Sequence, residues 1–247
     1  MIGQNVRRAS PSELNFVISF KRINYTNNYQ RENDHESTGS LISRKDVLTS
    51  EHGFAFVQTT GFEILVGSVD LRAGRTYSAI WWITHTQWST INRVPIKNPV
   101  NDIAIIRLSE EVSREIDPVP IMPVSPSYLY GLNVRLAGWG ATIEGHMSRY
   151  LETAILTVLS KDECENKIEK LVGQRGYLPE NVICSVANPF IVTTAGNSGC
   201  PVLFNDKLVA IHHAIGPELQ NSYSDHINIH LSIENFIDYI HSVLNVP

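Results

Sequence analysis

A serine hydroxyl becomes a useful nucleophile when an imidazole takes its proton and a carboxylate fixes that imidazole's tautomer. The sequence carries these three residue types in three marked places. His52 ends Val47-Leu48-Thr49-Ser50-Glu51-His52, Asp102 begins the run Asp102-Ile103-Ala104-Ile105-Ile106, and Ser198 lies within Gly196-Asn197-Ser198-Gly199-Cys200-Pro201. Each alone has a plain explanation: a loop histidine, a turn residue before a buried strand, a serine in a glycine-rich turn. Gly-x-Ser-Gly also lacks the second glycine spacing and the strand-turn-helix setting of a nucleophile elbow. The order His, Asp, Ser along the chain is more informative, because it supplies base, orienting acid and nucleophile. Gly196 and Gly199 let the backbone fold tightly around Ser198, which makes the N–H groups of Gly196 and Ser198 candidate donors to an oxyanion.

The elements around these residues read mostly as strands. Leu14–Phe20, Phe54-Ala55-Phe56-Val57, Ile64-Leu65-Val66, Val202-Leu203-Phe204 and Leu208-Val209-Ala210-Ile211 are short apolar runs rich in β-branched residues. Asn205-Asp206-Lys207 predicts a tight hairpin between the last two. Ser160-Lys161-Asp162-Glu163 has the form of a capping box and predicts a helix reaching Val172. Ile233, Phe236, Ile237, Ile240, Val243 and Leu244 recur at helical spacing and predict a C-terminal helix that docks by one apolar stripe. The expected architecture is all-β, two packed antiparallel barrels with a C-terminal helix.

Composition narrows the function. The 247 residues include 20 Lys+Arg against 25 Asp+Glu, a net charge of -5, which is no footprint for nucleic acid. No apolar run approaches the length of a membrane-spanning helix. Three cysteines leave at least one unpaired within the chain. Met1-Ile2-Gly3-Gln4 has neither the basic start nor the apolar stretch of a leader, as expected of a cytosolic protein or a trimmed mature form. No cofactor or metal is called for.

With these patterns in place, the sequence resembles the chymotrypsin/trypsin family of serine peptidases over nearly its whole length. Ile2-Gly3 resembles the family's mature start, Gly138-Trp139-Gly140 its mid-chain motif, and Asn235–Ile240 its C-terminal helix. The resemblance implies a single peptidase domain of two six-stranded barrels, 1–115 and 116–231, with a helix at 232–247. It also implies a triad of His52, Asp102 and Ser198 in the cleft, secretion, and a protein or peptide substrate. Cys164 and Cys184 match a family disulfide; Cys200 takes the place of a glycine and is expected to be free and buried. Asn24-Tyr25-Thr26 is a candidate glycosylation acceptor.

Departures from the family fall near the chemistry. Ser37 and Gly53 occupy the positions of a disulfide beside the histidine. Asn197 replaces the aspartate that pairs with a newly made N-terminal ammonium, so that activation switch is expected to be missing. Ile215 and Asn228 put side chains where the specificity pocket has glycines, and Val192 at its base argues against a demand for Lys or Arg. Thr193-Thr194-Ala195-Gly196-Asn197-Ser198-Gly199 with Ile211-His212 is similar to the glutamyl endopeptidase pattern. There Thr193 would donate a hydrogen bond to a substrate carboxylate and His212 would offer a partly positive imidazole. The reading is a serine endopeptidase acting through an acyl-enzyme; the alternative is a catalytically impaired homologue that serves as a binding or regulatory module.

Overall fold

The computed structural model describes residues 1–23, 31–53, 61–217 and 225–246. Phe54-Ala55-Phe56-Val57 and the sequon Asn24-Tyr25-Thr26 lie outside the described residues. Two short strands come first, β1 (Ile2–Gly3) and β2 (Arg7–Arg8). Seven strands form an antiparallel sheet: β3 (Val17–Arg22), β4 (His35–Leu41), β5 (Asp46–Thr49), β6 (Phe62–Val66), β7 (Arg75–Tyr77), β8 (Ala79–Thr84) and β9 (Ala104–Leu108). Their spatial order is β7-β6-β3-β4-β5-β9-β8. The edges β7 and β8 are consecutive in the chain, joined through Ser78. Among the described residues this sheet is a half-barrel whose edges are linked by chain rather than by a hydrogen-bonded pair.

The rest of the chain forms β10 (Asn133–Gly138), β11 (Glu152–Leu159), β12 (Val182–Val186), β13 (Ile191–Val192), β14 (Pro201–Phe204), β15 (Lys207–Gly216) and β16 (Ile227–Ser232). The order β10-β14-β15-β16-β12-β11 is closed by pairing of β10 with β11, giving a six-stranded barrel. Closure removes the open edges that a sheet would otherwise expose. Between β14 and β15, Asn205 and Asp206 have φ of 49° and 58°, the paired left-handed residues of a hairpin turn whose twist matches the strands.

Among the described residues three α-helices support the sheets: α1 (His85–Asn92), α2 (Lys161–Val172) and α3 (Ile237–Leu244). Ser160 and Glu163 close the expected capping box on α2, and Gly173 ends it with φ of 73°. The sequence reading missed α1. Its signal was the Thr84–Gln87 capping box, present in the structure but unsupported by an apolar stripe. α3 is held to the first sheet by Arg107, whose guanidinium donates to the Val243 and Val246 carbonyls and to Asp46. The Val243 carbonyl lies in the last turn of α3, where a buried cation suits the negative end of the helix.

Cys164 on α2 and Cys184 on β12 form the disulfide, and Cys200 is free and buried. The bridge spans a sequence separation of 20. Constraining a loop of that size stabilises the fold by about 3 kcal/mol. Replacing both cysteines by alanine should therefore lower the unfolding free energy in urea by about that much. An unchanged urea midpoint would show that the bridge constrains little.

Candidate active site

Sheet pairing brings His52 and Asp102 together. β5 and β9 are antiparallel neighbours with Thr49 opposite Ala104. His52 lies just past the end of β5 and Asp102 just before the start of β9, so both emerge at the same end of the sheet. His52 Nδ1 is 2.5 Å from Asp102 Oδ2, and the His52 backbone N–H donates to Asp102 Oδ1 at 2.8 Å. These two bonds fix both the ring and the tautomer, leaving His52 Nε2 as the acceptor.

Ser198 comes from the turn before β14 and is clamped from both sheets. Thr38 N–H of β4 donates to the Ser198 carbonyl at 2.9 Å, and Gly199 N–H donates to the His212 carbonyl of β15 at 2.8 Å. Gly199 has φ of +77°, and a Cβ there would collide with the Thr49 hydroxyl and the Thr38 carbonyl. The turn is therefore pressed against the first sheet, and Ser198 Oγ lies 2.7 Å from His52 Nε2. His52, Asp102 and Ser198 form a hydrogen-bonded, triad-like arrangement.

The turn is also held from beneath. The Gly196 carbonyl accepts from His35 Nε2 at 2.9 Å and from Thr38 Oγ1 at 2.8 Å, while Ser19 Oγ lies 2.6 Å from His35 Nδ1. Burial lowers the His35 pKa to about 4, so its ring is neutral and serves as a fixed donor. With its carbonyl anchored inward, Gly196 adopts φ of +92°. Among the described residues, neither the Gly196 nor the Ser198 amide has a hydrogen-bond acceptor. Asn197 does not reach the chain start: its amide donates to Thr194, while the Met1 α-ammonium meets Glu152 at 2.6 Å. Ser37 and Gly53 are adjacent, since a Cβ on Gly53 would lie 2.7 Å from that of Ser37.

A residue to which the sequence reading gave no role completes the acid. His213 Nδ1 lies 2.6 Å from Asp102 Oδ2, the oxygen already used by His52. The cause is a β-bulge. β15 pairs His212 with His230 and Ala214 with Ile229, leaving His213 as the extra residue, and an inserted residue re-aims its side chain. The His212-His213 doublet was the only signal in the sequence. Burial alone would raise the Asp102 pKa, but hydrogen bonds from His213 and His52 outweigh it and hold the carboxyl far below its ordinary value. The same bond raises the pKa of His52 against a smaller opposing effect of burial.

Beside Ser198 is a cavity of about 150 Å³ lined by Thr193, Thr194, Ala195, His212, His213, Ala214 and Ile215. Asn228 stands behind this wall: its Oδ1 accepts from the Thr193 N–H and hydroxyl, and its Nδ2 donates to the Ile191 carbonyl. Thr193 Oγ1 lies 2.8 Å from His212 Nε2 and 3.0 Å from Asn228 Oδ1, and its single proton serves one of the two contacts. His212 Nδ1 faces His230 Nδ1 at 3.3 Å, and His230 Nε2 lies 2.7 Å from Ser185 Oγ. Burial, reinforced by neighbouring histidines, pushes the His212 pKa well down. The partial positive charge expected for His212 is therefore absent in the free protein. A larger apolar cavity of about 730 Å³, lined by Trp81, Trp82 and Trp88 among others, shares no residue with the triad.

A family model described as Trypsin matches residues 16–240. Trypsin iota of Drosophila melanogaster is 26% identical over 178 residues, covering 72% of this chain and 67% of that protein. Trypsin epsilon of Drosophila erecta is 27% identical over 195 residues, covering 76% and 70%. Among solved structures, neuropsin, a serine protease expressed in the limbic system of mouse brain, superposes with a TM-score of 0.75 at 17% identity, covering 97% of this chain and 99% of that one. Human heparin binding protein gives 0.73 at 19% identity, covering 98% and 96%. The architecture is that of the chymotrypsin fold.

Proposed function

Because the chain belongs to the trypsin family of serine peptidases, we propose that it is an endopeptidase that cuts peptide bonds through an acyl-enzyme on Ser198. The observation that carries this reading is His52, which bridges Ser198 Oγ at 2.7 Å and Asp102 Oδ2 at 2.5 Å. His52 Nε2 takes the Ser198 proton as Oγ attacks the substrate carbonyl. The unspent amides of Gly196 and Ser198 receive the developing oxyanion. Asp102 stays ionised and stabilises the imidazolium, which then protonates the leaving amine. A water repeats the sequence to release the acid. On this reading 1–247 is one peptidase domain acting on extracellular protein or peptide substrates, in keeping with the family and the Cys164–Cys184 bridge.

The cavity beside Ser198 is the natural place for the side chain preceding the cut bond. Its small volume suits a short side chain better than Phe, Lys or Arg. A carboxylate is a second candidate, since both Thr193 and His212 line the wall. It would take the neutral His212 Nε2–H in place of the Thr193 hydroxyl, so binding would not depend on a charge on His212.

A peptide library scanned from acid to neutral pH tests these statements together. Cleavage is expected after small or acidic residues. The acid limb of kcat/KM should lie above the ordinary histidine value of 6.5, because His52 must be neutral to act as base and Asp102 raises its pKa. Efficient cleavage after Lys, Arg or Phe would overturn the pocket assignment. Absence of all cleavage would favour the impaired-homologue alternative.

A further inference from the structure

Two imidazoles converge on a single carboxylate oxygen. Asp102 Oδ2 receives His52 Nδ1 at 2.5 Å and His213 Nδ1 at 2.6 Å, while Oδ1 is held separately by the His52 backbone N–H. The three side chains come from three separate chain segments, and their ligand atoms lie within 4.8 Å of one another. Two imidazole nitrogens and one carboxylate oxygen are the donor set of a zinc-class cation, with a fourth position left for water. Access is open from the cleft, since the His52 and His213 side chains are 46% and 28% exposed.

We propose that a zinc-class divalent cation binds between His52 Nδ1, His213 Nδ1 and Asp102 Oδ2 and holds the serine idle. Each nitrogen retreats from Oδ2 by roughly 1 Å to admit metal bonds of about 2.1 Å. His52 lies in a loop and His213 on a bulge, so each can make that adjustment without breaking a strand pair. Coordination through Nδ1 leaves each neutral ring with its one proton on Nε2. His52 then presents an N–H to Ser198 Oγ and cannot accept the hydroxyl proton. No electrons are transferred, and removing the cation restores the original tautomer. The inhibitory half of the proposal rests on the peptidase reading; the binding half does not.

The test is calorimetric titration of zinc chloride, in a non-chelating buffer, into the full chain and into its Ser198→Ala variant. Fluorophosphonate labelling of the full chain runs in parallel. Both forms should bind one zinc reversibly to EDTA, and His213→Ser or His213→Asn should weaken binding by more than about tenfold. Labelling should slow over the same zinc range and recover with EDTA. Labelling without zinc, combined with no binding up to millimolar zinc or with binding indifferent to His213, would overturn the cation site and leave the peptidase reading standing. Binding that depends on His213, without labelling at any zinc level, would keep the site and sink the peptidase reading. Should the His213 variants fail to fold, imidazole NMR of the unchanged chain decides. Zinc must shift the His52 and His213 ring signals, and shifts confined to other histidines would overturn the proposal.

Discussion

Ser198→Ala is expected to lower turnover of a cleavable peptide by on the order of 10⁶ while leaving the fold intact. Among the described residues the Ser198 hydroxyl has one hydrogen-bond partner, His52 Nε2. The turn that carries it is held by backbone atoms instead, through the Thr38 N–H to the Ser198 carbonyl and the Gly199 N–H to the His212 carbonyl. Removing Oγ deletes the nucleophile and leaves both tethers, so thermal stability should move by no more than about 0.5 kcal/mol. Adding His52→Ala should cost little more, because base and nucleophile act as one unit. The measurements are kcat on a fluorogenic peptide and a melting curve for each variant. A Ser198→Ala protein that retained more than about one-thousandth of the activity would place the nucleophile elsewhere.

Asp102→Asn is expected to cost about 10⁴ in kcat. Three N–H groups converge on this carboxylate, from the His52 backbone, His52 Nδ1 and His213 Nδ1. An amide has one oxygen and one NH₂, so at least one of the three donors would face another donor. A neutral His52 escapes that clash by moving its proton to Nε2, which disables it as a base toward Ser198. The effect should appear in kcat more than in KM, and labelling of Ser198 by a fluorophosphonate should slow in proportion. If Asp102→Asn left both rates unchanged, the orienting role of Asp102 would be wrong.

Much of the site was legible because its signals are local. A histidine closing one apolar run and an aspartate opening another mark the two ends of paired strands. Glycines flanking a serine announce a turn that other residues cannot make, and Gly196 and Gly199 do adopt positive φ. The capping box at Ser160, the Asn205-Asp206 turn and the stripe of α3 are likewise written in residues close together in sequence. α1 was missed because its cap was present without an apolar stripe to support it.

Other features depended on which distant segments meet. The sequence alone determined the residue types brought together around Ser198 and the strand-rich architecture, while resemblance to the family indicated that Cys164 and Cys184 pair. Only the tertiary structure decided that His213 shares Asp102 with His52, because a one-residue bulge in β15 set its direction. It also decided that Asn228 stands behind Thr193 and that His212 is neutral. The reason is physical: a side chain's aim depends on strand register, and its protonation depends on how much water the packed chain excludes, neither of which is a property of neighbouring letters.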